Sequence, residues 1–570
     1  MKQLFLTVAL AAACTAAAAQ NLNPTVEVTN TYEGNLSGLE KPEQMLSVPD
    51  SVTRFNLDFD YSVFENPYRG AYEFQPYMVQ LRPLPALSTE KRFFLKAGAG
   101  YSLHPELQVL WTPVSTRAFQ LNLYAGHQSY MGYTRGISPI RQDDGSTVFT
   151  DDGSRTGCGD LDTKAGVSGR WMWEGGQLEG DVSYRNLYAE HEDLLNRMDH
   201  ALSGFVRVRA LDTPDTPFYY DLGARYTYRT EGGEATGAWA GSTAARPFNF
   251  GQSRLDVDGS FGPSLAFGRL RMDVGAILLR QTAAFGNGAE KDYYIGNIQV
   301  TPRFLFHLGD WHFNLGARLS AFIRSEDAGT NYTRRSGYLF PDAHVDWYLW
   351  DDRLVFQAEA VGQDHINGYF DLVDRHHFVR MGDFPLDNSV ELVNTSAGFR
   401  GKLFSRLQYD LKGGYARWRG LMLETWDGGP FPIYSPVEAA NAFFGKLALN
   451  WKNDFLQADA RMQYTWTDIA ENHVFAPADF TGAARVLYNW GWRIQAGASV
   501  NWSTARYAWA GNQYYSIPGF ADLGLEGEFA VNRQWGVWFK VGNLLNQTVQ
   551  LYPLHAENGI YFTLGFRLTI

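Results

Sequence analysis

The sequence predicts an all-β fold: a transmembrane antiparallel β-barrel of about 22 strands, preceded by a short N-terminal segment. Three observations carry this. Units of about ten residues with alternating apolar and polar character recur from residue 91 onward. The connections between them sort into very short and long ones, and tryptophans gather beside the short ones.

The chain opens MKQLFLTVALAAACTAAAAQ, with one Lys, an apolar run from Leu4 to Ala13 and small residues that place Ala17 and Ala19 ahead of Gln20. This is the pattern of a secretory signal peptide over residues 1–19. Cys14 offers a lipoprotein alternative, but Ala-rich sequence continues past it. Cleavage after Ala19 would leave Cys158 as the single cysteine, so no intramolecular disulfide is expected. Formal charge is −12, and loss of Lys2 with the signal makes it −13, which argues against nucleic acid as a partner.

Residues 20–90 form a separate N-terminal segment. Within it Phe55, Leu57, Phe59, Tyr61 and Val63 alternate with polar residues, until Pro67 and Gly70 break the strand pattern.

Residues 91–570 are the barrel. No stretch approaches the roughly 18 apolar residues of a membrane helix. Instead RFFLKAGAGYSL sets Phe93, Leu95, Ala97, Ala99, Tyr101 and Leu103 opposite Lys96, Gly98, Gly100 and Ser102. WHFNLGARLSAFI and WRIQAGASVNW alternate in the same way. One face suits hydrocarbon and the other suits water. A soluble sandwich also alternates, but its connections do not sort by length. Here short turns fall at Glu174-Gly175-Gly176, Gly309-Asp310, Asp351-Asp352, Asn453-Asp454 and Asn532-Arg533, among others. Longer connections span Met131 to Asp160, Glu231 to Gln252, His365 to Ser389, Leu421 to Glu438 and Ala508 to Ile517. Aromatics make up 15% of the chain and charged residues only 19%, as an amphipathic membrane girdle requires. Trp171, Trp173, Trp311, Trp350, Trp451, Trp490, Trp492 and Trp535 lie within a few residues of short turns.

The chain ends TLGFRLTI, still alternating. A strand that closes the barrel against the first one explains an end without a polar tail. Thr563, Gly565, Leu568 and Ile570 fit the C-terminal insertion signal of outer-membrane barrels, with Ile in place of the commoner Phe. Upstream, VWFKVGNLLNQTVQLYP carries Asn543-Leu544-Leu545-Asn546 and resembles the closing hairpin of TonB-dependent receptors. That resemblance implies a barrel of about 22 strands and, at Thr25, Val26, Glu27, Val28 and Thr29, a TonB-box-like element. It also implies a plug domain, for which residues 20–90 are too short. A reduced plug or a periplasmic extension is expected there.

No phosphate-binding, zinc or nucleophile motif stands in its required setting, so no enzyme, cofactor or metal site is expected. DHINGYFDLVDRHHFVRMGD gathers Asp364, His365, Asp371, Asp374, His376, His377 and Asp383, residue types that could hold a metal, but a polar loop of this length is expected to be simply a solvated external loop. Two functions remain. One is uptake or passage of a solute across the bacterial outer membrane, with residues 20–90 occluding the lumen. The alternative is a non-transporting structural or assembly component of an outer-membrane complex. Expected partners are outer-membrane lipid, with TonB or another periplasmic protein and a surface lipoprotein as candidates.

Overall fold

The computed structural model describes residues 92–570 apart from short segments at 102, 192–194, 212–215, 238–241, 286–290, 326–335, 380–386, 405, 427–432, 471–472, 492 and 511–512. The signal peptide, the segment 20–90 and the TonB-box-like residues Thr25 to Thr29 lie outside the described residues.

The chain runs as an antiparallel meander of 22 strands closed on itself. Closure joins the first strand, Phe93–Gly100, to the last, Tyr561–Thr569, in the register Phe94↔Thr569 through Gly100↔Thr563. The backbone of Ile570 completes the seam, its carbonyl accepting from the Arg92 and Phe93 amides at 2.6 and 2.8 Å. Closure leaves no unpaired edge in the membrane, where unsatisfied amides would each cost several kcal/mol. The last strand therefore has neighbours on both sides, and its side chains divide as the alternation requires. Phe562, Leu564, Phe566 and Ile570 are exposed on the outside, while Thr563 is fully buried.

Close approach at the seam depends on glycine. A Cβ on Gly565 would lie 2.2 Å from the Ala97 carbonyl oxygen and 2.6 Å from the Trp538 ring. Gly565→Val is expected to keep the last strand from docking, and the heat-modifiable band of the folded barrel should disappear on gels. An unchanged band would show that the seam tolerates the side chain.

The alternating faces read from sequence lie as expected. Leu315, Leu319 and Ile323 point outward, and Arg318 and Ser320 of the same strand point into the lumen. Trp171, Trp173, Trp311, Trp350, Trp490 and Trp535 are exposed beside the short turns, forming a girdle at the end that carries both barrel termini. Short turns identify that end as periplasmic.

Two of the polar stretches read as loops are extensions of the wall strands themselves. The span from Met131 to Asp160 is a ribbon, Phe119–Arg141 and Thr147–Trp173, that reverses over only five residues. The turn is closed by Asp144, whose Oδ1 accepts from the Ser146 amide at 2.8 Å, with Gly145 at φ +86. The span from Glu231 to Gln252 likewise continues as Phe218–Gly237 and Ser242–Leu265. A tilted strand needs only about 10 residues to cross the hydrocarbon, so these ribbons rise well beyond it.

Candidate functional site

The extracellular mouth is where side chains converge. Four strands outside the barrel wall pair as two hairpins there, Leu421–Thr425 with Ile433–Val437 and Arg506–Ala510 with Gln513–Ile517. Phe149, at the top of the tall ribbon, is fully buried against Phe475, Ala508 and Ile517, with Trp426, Tyr515 and Leu554 around them. Arg506 ties three further pieces of this roof, donating to Glu424 Oε2 at 2.9 Å and to the carbonyls of Ala476 and Leu551.

Beside the roof, the connection after the strand Leu354–Asn367 turns into the barrel instead of out into solvent. It forms one short helix, α1 (Tyr369–Arg375). The Asp371 carboxylate starts it by accepting from the Gly368 amide at 2.9 Å. Seven residues are too few to be helical alone, so packing must hold α1. Tyr369, Phe370, Leu372, Val373, Phe378 and Val379 bury themselves against the wall residues Leu187, Ala189, Leu195, Ala235, Phe248 and Phe250. Tyr369 stacks on Phe250 with ring centroids 4.5 Å apart.

Polar contacts then fix the register. The Asp374 carboxylate accepts from Arg185 Nη1 at 2.8 Å and from Arg229 Nη1 and Nη2 at 2.8 and 2.9 Å. Asp371 takes Arg254 Nη1 at 3.2 and 3.3 Å. Arg197 reaches furthest. Fully buried, it pairs with the equally buried Glu231 at 2.8 Å and donates to the carbonyls of His377 at 2.6 Å and Val379 at 3.1 Å. The Tyr369 hydroxyl donates to Glu231 at 3.2 Å, and the Tyr369 amide donates to the Gln281 side chain.

Charge in the loop responds to these surroundings. Burial pushes the Asp374 carboxyl up, but the Arg229 and Arg185 guanidiniums outweigh it and hold the group well below the usual carboxylate range. Burial, helped by nearby His555, His377 and Arg197, pushes His376 far down. For His377 burial works downward too, but Asp160, 2.8 Å away, wins and raises it.

The ligand-capable residues of this segment are therefore separated rather than gathered. Asp364 sits on the wall with Asn297, Gln299 and Ser320, and His365 stacks on Trp418. Asp371 and Asp374 go to arginines, His377 to Asp160, and His376 stacks on Tyr552 at 4.1 Å. Asp383 lies outside the described residues. Among the described residues no three His, Cys, Asp or Glu side chains are arranged to hold a metal ion.

The other expected elements are structural in this geometry. Asn543 and Asn546 both take left-handed backbone, φ +45 and +49, which Asn tolerates better than most residues. The Asn543 amide group donates to the carbonyls of Gln547 and Asn558, folding the last extracellular connection inward. Thr563, Gly565, Leu568 and Ile570 lie on the closing strand already described. The wall arginines were not singled out from the sequence. The available signal was a cation on the polar face near the extracellular end of four successive strands, at Arg185, Arg197, Arg229 and Arg254.

No family model matches the chain, and no curated protein matches it. Solved structures do. The barrel is similar to the ferripyoverdine receptor of the outer membrane of Pseudomonas aeruginosa, at 10% identity and TM-score 0.63 over 85% of this chain and 72% of that one. It is similar to the FrpB iron transporter from Neisseria meningitidis, at 10% identity and TM-score 0.62 over 85% and 82%. The copper transporter OprC matches at 13% identity and TM-score 0.62, over 84% and 82%. At such identities the likeness is one of fold. The chain is a 22-stranded antiparallel β-barrel with the architecture of TonB-dependent receptors.

Proposed function

We propose that this barrel passes a solute across the outer membrane without catalysing a reaction, and that the in-turned loop at residues 367–379 is a gate in its lumen. The supporting observation is how the loop is held. Its carboxylates Asp371 and Asp374 are bound by wall arginines, contacts that a competing charge or a proton can break. A barrel of this strand number encloses a lumen that needs such a barrier. The segment 20–90 is a second barrier in this reading, and TonB or another periplasmic protein is the partner that would move it. The fully buried Arg197–Glu231 pair favours the other reading, a permanently sealed barrel that anchors partners such as a surface lipoprotein.

Single-channel recording separates the two. The mature protein, a version with residues 368–379 replaced by a short Gly/Ser linker, a version lacking residues 20–90, and the combination are compared in planar bilayers. Closed intact protein and steady conduction by the combined variant are expected. If no version conducts, transport is wrong and the anchoring role takes its place.

A further inference from the structure

We infer that the guanidinium fork occupied by Asp374 is a binding site for a carboxylate-bearing solute, and that Asp374 stands in for that solute while the loop is docked. This rests on the transport reading above and names the class of solute that the gate admits.

The wall carboxylates aim the arginines without using up their donors. Arg185 gives Nε and Nη2 to Asp162 at 2.9 and 2.8 Å, which turns Nη1 toward the lumen. Arg229 gives Nε to Asp199 at 2.7 Å and shares Nη2 with it at 2.5 Å, which leaves Nη1 and the second N–H of Nη2 for the loop acid. Three N–H donors thus converge on the two oxygens of one carboxylate, the planar arrangement in which guanidinium recognises that group. The Arg229 guanidinium also lies 4.4 Å over the Phe370 ring, so the loop covers the fork's apolar side as well. The pattern repeats on the next strand. Arg254 gives Nε to Asp256 at 2.9 Å and turns Nη1 to a loop acid, Asp371. When the loop leaves, both arginine positions lose the acid they faced and point into the lumen. A solute with two or more carboxylates would satisfy both and compete directly with the docked loop. Carboxylate is favoured over phosphate because both loop groups that fill these positions are carboxylates.

The test titrates citrate, inorganic phosphate, chloride and glucose by calorimetry into the full-length protein in detergent. Wild type is compared with Asp374→Ala, with the near-isosteric Asp374→Asn as a second variant, and with Asp374→Ala/Arg229→Gln. Citrate should bind Asp374→Ala at least tenfold tighter than wild type, glucose should not bind, and the double variant should lose the gain. Equal citrate affinity in wild type and both Asp374 variants overturns the proposal. So does chloride binding as tightly as citrate, and tighter binding of phosphate replaces the carboxylate assignment. Bilayer recording keeps the two readings apart. Citrate binding to an Asp374→Ala barrel that stays closed, together with closed loop-replaced versions, rejects transport and keeps the site. Conduction by the loop-replaced versions with no citrate binding rejects the site and keeps the gate.

Discussion

Arg197→Met is expected to undock residues 368–379 in an otherwise intact barrel. The side chain is fully buried, and its removal takes a partner from four groups at once: the Glu231 carboxylate, the Tyr369 hydroxyl and the carbonyls of His377 and Val379. Breaking one side of a buried pair costs about 3–5 kcal/mol, because the remaining charge keeps its desolvation penalty. Each abandoned carbonyl adds about 1–3 kcal/mol. The loop's apolar contacts with the wall remain, so the loop is destabilised without the strands being touched. Hydrogen exchange should rise by two orders of magnitude or more in peptides covering 368–379 and stay unchanged in strands distant from the mouth. Adding Glu231→Leu removes the stranded charge and should recover part of the protection. The recovery is incomplete, because no donor returns to the two carbonyls. Protection in Arg197→Met equal to wild type would show that apolar packing alone holds the loop.

How far the sequence carried depends on where lipid imposes a pattern. Between the girdle and the outer interface, strands such as Trp311–Arg324 must alternate, because one face meets hydrocarbon and the other the lumen. There the period of two, the strand number and the closing role of Tyr561–Thr569 were all legible. Above the membrane the constraint lapses. The ribbon from Met131 to Asp160 has water or roof on both faces, so its Asp, Gly, Ser and Thr residues imitate a loop although the backbone stays paired. The in-turned connection was misplaced for a related reason. Its polar residues suggested solvent, while Phe370, Leu372 and Val373 in the same segment were the sign that it packs inward. Its arginine partners are distant in sequence, and no local spacing links Asp374 to Arg185 or Arg229.

Acid should release the same loop, and the groups that decide it lie in the two connections that meet there. Asp374, His376 and His377 come from the loop, and Tyr552, His555 and Glu557 from the last connection. The wall contributes Asp160, His191, Arg185, Arg197 and Arg229 around them. Burial raises the Glu557 carboxyl from 4.5 to about 7, so its contribution to docking is full below pH 4.5 and fades as pH rises through 7. His377, raised by Asp160 against the effect of burial, also contributes fully below 6.5 and less above it. Burial pushes His555 from 6.5 down to about 3, so the undocked ring takes up a proton that the docked ring refuses, and docking weakens as pH falls through that window. His376 shifts in the same direction. Between pH 6.5 and 4.5 two histidines oppose docking and one carboxyl favours it. Counted over the groups of these two connections, undocking takes up protons in this window, so docking weakens as pH falls through it. Below 4.5 the carboxyl no longer compensates, and below 3.8 protonation of Asp374 begins to remove the arginine clasp as well. Docking is therefore tightest near pH 6.5, loosens gradually above it and falls steeply below 4.5. Hydrogen exchange of peptides covering 368–379 and 551–558, corrected for intrinsic rates and followed from pH 4 to 8, should trace that asymmetric maximum. Protection that stays level, or that grows on acidification, would mean that the histidines are not buried against one another in the working protein. His555→Gln, which removes one of the two opposing protons, should flatten the slope between 6.5 and 4.5 and leave the decline above 6.5 in place.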